Sequence, residues 1–158
     1  MVKERGEDGA PLPDGEWALR LSARPKDFHE NGKASPKAFE LSNTEKQDKP
    51  RKLSVFAESL TTPKQAWIIA GAKKNHELVL RLSVDAIRAL RPGADAPSAE
   101  TLDVVWHHRA DPRPGAEGHA GITGLDGTDR KIRKIYRWKL ADIAQAIPLE
   151  LQEPLDPD

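Results

Sequence analysis

The densest chemistry in this chain lies between Arg130 and Lys139. Arg130, Lys131, Arg133, Lys134, Arg137 and Lys139 place six cations in ten residues, with no acid among them. The whole chain is balanced, with 25 Lys+Arg against 25 Asp+Glu. A local basic block on a neutral protein is either a solvated face or the footprint of an anionic partner. Trp138 sits close to Lys131 and Lys134 at helical spacing. A stacking ring beside phosphate-seeking charge is the combination that single-strand nucleic-acid binders use. In the competing reading, an amphipathic Trp covers a core edge beside ordinary solvated cations. No Glu stands four residues from these cations, so the block is poorly self-neutralised. The candidate partner-binding residues are therefore Arg130, Lys131, Arg133, Lys134, Arg137 and Trp138. Arg130, Lys134 and Arg137 are expected on the side of a helix away from its apolar stripe.

Other constellations are thinner. His107, His108 and His119, with Asp103 and Glu117, could offer nitrogen and oxygen ligands to a metal. Adjacent strand residues point to opposite faces, so at most one of His107 and His108 could join His119. No serine sits in a Gly-x-Ser-x-Gly elbow, and no phosphate-binding loop is present. Arg20, Ser54 and Glu58 echo the Arg/Ser/Glu set of ADP-ribosyltransferase-like toxins, but the Ser-Thr-Ser and Glu-x-Glu elements are missing. No catalytic residue, metal or cofactor is expected from these patterns.

The elements that would position these residues are short. Trp17 to Ser22 alternates as a strand, with Trp17, Leu19 and Leu21 on one face. Ala38 to Leu41 and Leu53 to Phe56 are further strand candidates, and residues 43–52 read as a loop. Thr62-Pro63-Lys64-Gln65 has the form of a capping box with proline at the first helical position, so a helix should run from there toward Gly71. Leu78 to Val84 alternates strongly. Asp85 to Leu90 reads as a short helix, Leu102 to His107 as a strand and His119 to Thr123 as a last short strand. From about Asp129 to Ile147, residues Ile132, Ile135, Tyr136, Leu140, Ile143 and Ile147 fall within one helical stripe, closed by Pro148. Trp67, Ile68, Leu80, Leu82, Val104 and Trp106 are the expected core.

Strands alternating with two or three helices predict an α+β domain built on one mixed sheet. A chain of 158 residues suits one domain and can bury roughly 70% of the surface it exposes when unfolded. The expected divisions are a disordered lead at 1–15, the domain at 16–148, and an acidic, proline-containing tail at 149–158. The absence of cysteine excludes disulfides and thiolate chemistry. The charged start lacks the apolar run of a signal peptide. No apolar run approaches a membrane span, and a cytoplasmic location is expected.

Ser35-Pro36-Lys37-Ala38-Phe39, then Lys52-Leu53-Ser54-Val55-Phe56 and Leu60-Thr61-Thr62-Pro63-Lys64-Gln65-Ala66-Trp67, resemble a recurring pattern in a group of short uncharacterised bacterial proteins. His119-Ala120-Gly121-Ile122 is similar to a His-Ala-hydrophobic element later in the same group. The resemblance covers roughly residues 17–70 and 118–140. It implies a bacterial origin and a shared fold, carries no activity, and leaves out the basic block. The reading at this level is a non-catalytic accessory or adaptor protein that contacts nucleic acid or an acidic protein surface through its basic C-terminal helix. A small ADP-ribosyltransferase-like enzyme or toxin is the alternative, and a structural subunit of a larger assembly is the second.

Overall fold

Capping chemistry sets where the helices begin. In the computed structural model, which describes residues 4–21, 34–40, 52–69, 78–93, 101–125 and 130–148, the capping box forms as the sequence predicts. Thr62 Oγ1 accepts from the Gln65 amide at 3.1 Å, and Gln65 Oε1 accepts from the Thr62 amide at 2.9 Å. Helix α1 follows over Pro63–Ile69. Ser35 and Pro36 do the same on a smaller scale. Ser35 Oγ accepts from the Lys37 amide at 3.2 Å, and a 3₁₀ turn runs over Pro36–Phe39. The strand expected from Ala38 is therefore replaced by a turn. Its cause is local, since proline presets the first helical φ and the serine hydroxyl satisfies an orphan amide.

Among the described residues, six strands form one sheet: β1 (Trp17–Leu21), β2 (Leu53–Ala57), β3 (Leu78–Ser83), β4 (Asp103–Trp106), β5 (His119–Thr123) and β6 (Gln145–Pro148). Their spatial order is β4-β5-β2-β1-β3-β6. Every pairing is antiparallel, so the sheet is not mixed. Helix α2 (Val84–Ala89) starts on Ser83, whose hydroxyl accepts from the Ala86 amide. Helix α3 spans Arg130–Ile143. The α+β class stands, with three α-helices and a single antiparallel sheet among the described residues.

Alternation sorts the strand residues onto two faces. One face carries Ala18, Leu53, Val55, Ala57, Leu80, Leu82, Val104, Trp106, Ala120 and Ile122. It packs against Val84 and Ile87 of α2 and Tyr136, Leu140 and Ala141 of α3. The other face buries a smaller cluster, Leu19, Phe56 and Val79 beneath Ala66 of α1. Of the expected core, Leu80, Leu82, Val104 and Trp106 are buried, whereas Ile68 is 42% exposed and Trp67 only partly covered. Helix α1 is seven residues long, and Ala66 is its buried position.

Both ends of the domain close a sheet edge. The lead expected to be disordered runs instead along β4. The Gly9 and Leu12 amides donate to the Trp106 and Val104 carbonyls, Trp106 donates back to Ala10, and Pro11 bridges Val105. Leu12 is buried there, and Gly6 lies so close to the Trp106 ring that a Cβ would come within 2.7 Å of it. At the opposite edge, the helix expected to continue to Ile147 stops at Ile143. Residues 145–148 form β6, with Ile147 opposite Val79 and Pro148 opposite Leu78. An open edge of β3 outcompetes one more helical turn, because unpaired strand amides and carbonyls need partners. Proline is tolerated on an edge strand. Residues 43–51 of the expected loop, the expected helix end near Gly71, and the tail at 149–158 lie outside the described residues.

Candidate binding face and sheet-face polar cluster

Helix α3 exposes a narrow stripe. Its buried side is Tyr136, Leu140 and Ala141, with Ile132 and Ile143 packed at the margin. Facing solvent are Arg130, Lys131, Lys134 and Trp138, the last 49% exposed, followed by Asp142. Lys134 and Trp138 are one turn apart, and the stripe from Arg130 to Trp138 is about 12 Å long at the helical rise.

Arg133, Arg137 and Lys139 are half-buried. Arg137 does not point away from the packed side as expected. Its Nε is buried with no hydrogen-bond partner among the described residues. Burial pushes its guanidinium below the ordinary value, Glu40 beside it opposes that, and Arg133 adds to it. Helix α3 packs on the Pro36–Phe39 turn, which brings Arg137 toward Glu40. The stripe thus offers three exposed cations and one ring.

The charges on α3 run against its dipole. No acid stands in its first turn and no base in its last, while Arg130 and Lys131 occupy the positive end. Cations there destabilise a helix by about 0.3–1 kcal/mol each.

Arg20, Ser54 and Glu58 do not converge. Arg20 belongs to the face of Ala18. It donates from Nε to the Ala38 carbonyl at 2.9 Å, from Nη1 to the Ser54 carbonyl at 2.8 Å and from Nη2 to the Glu40 carbonyl at 3.3 Å. It ties the 3₁₀ turn to the sheet. Ser54 and Glu58 point to the other face, Ser54 within β2 and Glu58 in the turn just past its end at Ala57. Glu58 pairs through both oxygens with Arg81 (2.5 and 2.9 Å). That pair pushes the Arg81 guanidinium up, and the guanidinium lies 3.7 Å from the centre of the Trp17 ring.

The histidines separate as strand alternation requires. His108 contacts the N-terminal segment: its amide donates to the Asp8 carboxylate, and its Nε2 lies 2.7 Å from the Gly6 carbonyl. The amide bond holds Asp8 below its usual range. His107 and His119 come together on the face of Phe56, their ring centres 4.9 Å apart. His119 Nε2 is 3.2 Å from Ser54 Oγ, and its Nδ1 is 2.9 Å from the His107 carbonyl. Sequence reasoning missed this contact. Ser54 and His119 are 65 positions apart, and no local motif joins them. Among the described residues, no group of three or more His, Asp or Glu side chains could hold a metal ion, and no helix is long and apolar enough to cross a membrane.

Comparison of the chain with protein-family models, with curated proteins and with solved structures gives no match.

Proposed function

We propose that the protein is an accessory binding module that takes an anionic partner on the exposed stripe of α3, and that the partner is single-stranded nucleic acid. The observation that supports this reading is the set Arg130, Lys131, Lys134 and Trp138, exposed together along the helix, with Arg130 and Lys131 at its positive end. Cations at that end cost helix stability. Residues that break a local stability rule while standing in solvent are expected where a partner compensates. Trp138 favours unpaired bases over an acidic protein, because a base stacks on an indole and a carboxylate does not. With zero net charge, long-range steering is weak, and binding in the micromolar range is expected at physiological salt.

The test is fluorescence anisotropy with labelled oligonucleotides across a salt series. Three phosphate contacts give a log–log slope of about −2 on single strands. Joint substitution of Arg130, Lys131 and Lys134 by Gln should flatten it. Trp138→Ala should weaken single-strand binding by about 1–3 kcal/mol. An acidic protein partner would show the salt dependence without the Trp138 effect on oligonucleotides. No retention of DNA or RNA at about 50 mM salt, where screening is weak, overturns the reading.

A further inference from the structure

The polar contact on the sheet face has the geometry of an activated nucleophile. Strands β2 and β5 pair with Ser54 opposite Gly121 and Phe56 opposite His119. Ser54 and His119 are thus diagonal neighbours on one face, within reach of each other. His119 is 5% exposed. Its ring is held edge-on against Phe56, with centres 5.4 Å apart and planes at 75°, and tilted over His107. A carbonyl can only accept a hydrogen bond, so the His107 carbonyl at 2.9 Å places the proton of the neutral imidazole on Nδ1. Nε2 is then left with its lone pair, 3.2 Å from Ser54 Oγ, and the serine hydroxyl donates to it. Nucleophile, base and a third group that fixes the base's tautomer are the parts that nucleophilic catalysis requires.

Ser54 is only half-buried, above a buried base. Directly across from it, Gly121 has no side chain, and the stem of Lys52 lies over that glycine, where a Cβ would meet Lys52 Cβ at 2.6 Å.

We infer that Ser54 is a nucleophile activated by His119, and that this face supports acyl transfer from an ester to water. Ser54 Oγ bonds to the ester carbonyl carbon as its proton passes to His119 Nε2. The bond from carbon to the leaving oxygen then breaks, and Nε2 returns the proton to that oxygen. Water then bonds to the acyl carbon as Nε2 takes its proton, the bond from that carbon to Ser54 Oγ breaks to release the acid, and Nε2 returns the proton to Oγ. No cofactor or oxidant enters the balance. The imidazolium formed on the way is supported at Nδ1 by a carbonyl rather than a carboxylate, so turnover should be slow and the acyl-serine a trappable species.

The experiment uses the full chain, a fluorophosphonate probe and peptide mass spectrometry. The expected result is a covalent adduct on Ser54, absent from Ser54→Ala and formed at least about 100-fold more slowly in His119→Gln, as loss of a general base predicts. The wild-type labelling rate should rise with pH through a single ionisation. A folded wild-type protein that is not labelled at Ser54, or a folded His119→Gln variant labelled at the same rate, overturns the proposal. Should His119→Gln fail to fold by circular dichroism, the wild-type profile decides: a single rising ionisation supports the proposal and a flat profile overturns it. Oligonucleotide binding by α3 is independent of every one of these outcomes.

Discussion

One face of the sheet is sealed by α2, α3 and the Pro36–Phe39 turn, and its strand residues are almost entirely apolar. The opposite face has an apolar patch under α1 only, around Leu19, Phe56 and Val79. On either side of that patch are polar contacts: Arg81 with Glu58 and Trp17, and Ser54 with His119. The same strands supply both faces, so chain propensity does not separate them. What separates them is cover. Helices that bring Tyr136, Leu140 and Ile87 seal one side into a continuous core, while α1 brings only Ala66 to full burial. The first face holds the fold together, and the second can carry exposed, hydrogen-bonded groups because less of the stability depends on it.

The largest expected effect tests this contrast directly. Leu82 and Leu19 are both fully buried, on opposite faces. Leu82→Ala should cost about 4–5 kcal/mol and Leu19→Ala about 2–3 kcal/mol in denaturant unfolding, since the thinner cover can collapse into the space left behind. Equal losses, or a reversed order, would show that the faces are energetically alike.

A second pair of substitutions sharpens the contrast with charged groups. Arg20 satisfies three backbone carbonyls between the sheet and the 3₁₀ turn, so Arg20→Met should cost about 2–3 kcal/mol. Arg81 and Glu58 form an ion pair whose side chains are 27% and 32% exposed. Arg81→Met should cost about 1 kcal/mol or less, with the loss shrinking as salt is added. A costly Arg81→Met would show that the second face carries structural weight as well.

Smaller still is the effect of acid at the rim of the second face. Hydrogen bonds from Arg113 hold the Asp111 carboxyl down from 3.8 to about 2. Arg113 also donates to the Ile68 and Ile69 carbonyls at the end of α1. A carboxyl with a depressed value in the folded state contributes stability that is complete above pH about 4 and lost as pH falls through about 2. Thermal melts of wild type and Asp111→Asn should therefore differ at pH 5 and converge toward pH 2. A constant difference across that range would exclude the Asp111 contribution.

The smallest effect belongs to α3. Changing Arg130, Lys131 and Lys134 together to Gln should leave unfolding free energy within about 0.5 kcal/mol or raise it slightly, because exposed cations at the positive helix end do not support the fold. A large loss would make this stripe structural and remove the argument for a partner.

Local signals in the chain were legible wherever the deciding partners are close in sequence. The alternation of Trp17–Leu21 and of Leu78–Ser83, the capping box at Thr62 and Gln65, and the apolar stripe of α3 all rest on neighbours no more than a few residues apart. Ser35-Pro36 held the same start signal as Thr62-Pro63 and was obscured by the apolar Ala38-Phe39 pair beside it. Tertiary structure decided the rest. It set the strand order and, with it, which edges stood open. Those open edges drew residues 9–12 onto β4 and turned residues 145–148 from helix into strand. It also set the register that brings Ser54 to His119 and the packing that takes Arg137 out of the basic stripe. The physical reason is range: a cap or an alternation is satisfied within its own segment, whereas an unpaired edge or a buried ring is satisfied by whichever distant segment reaches it first.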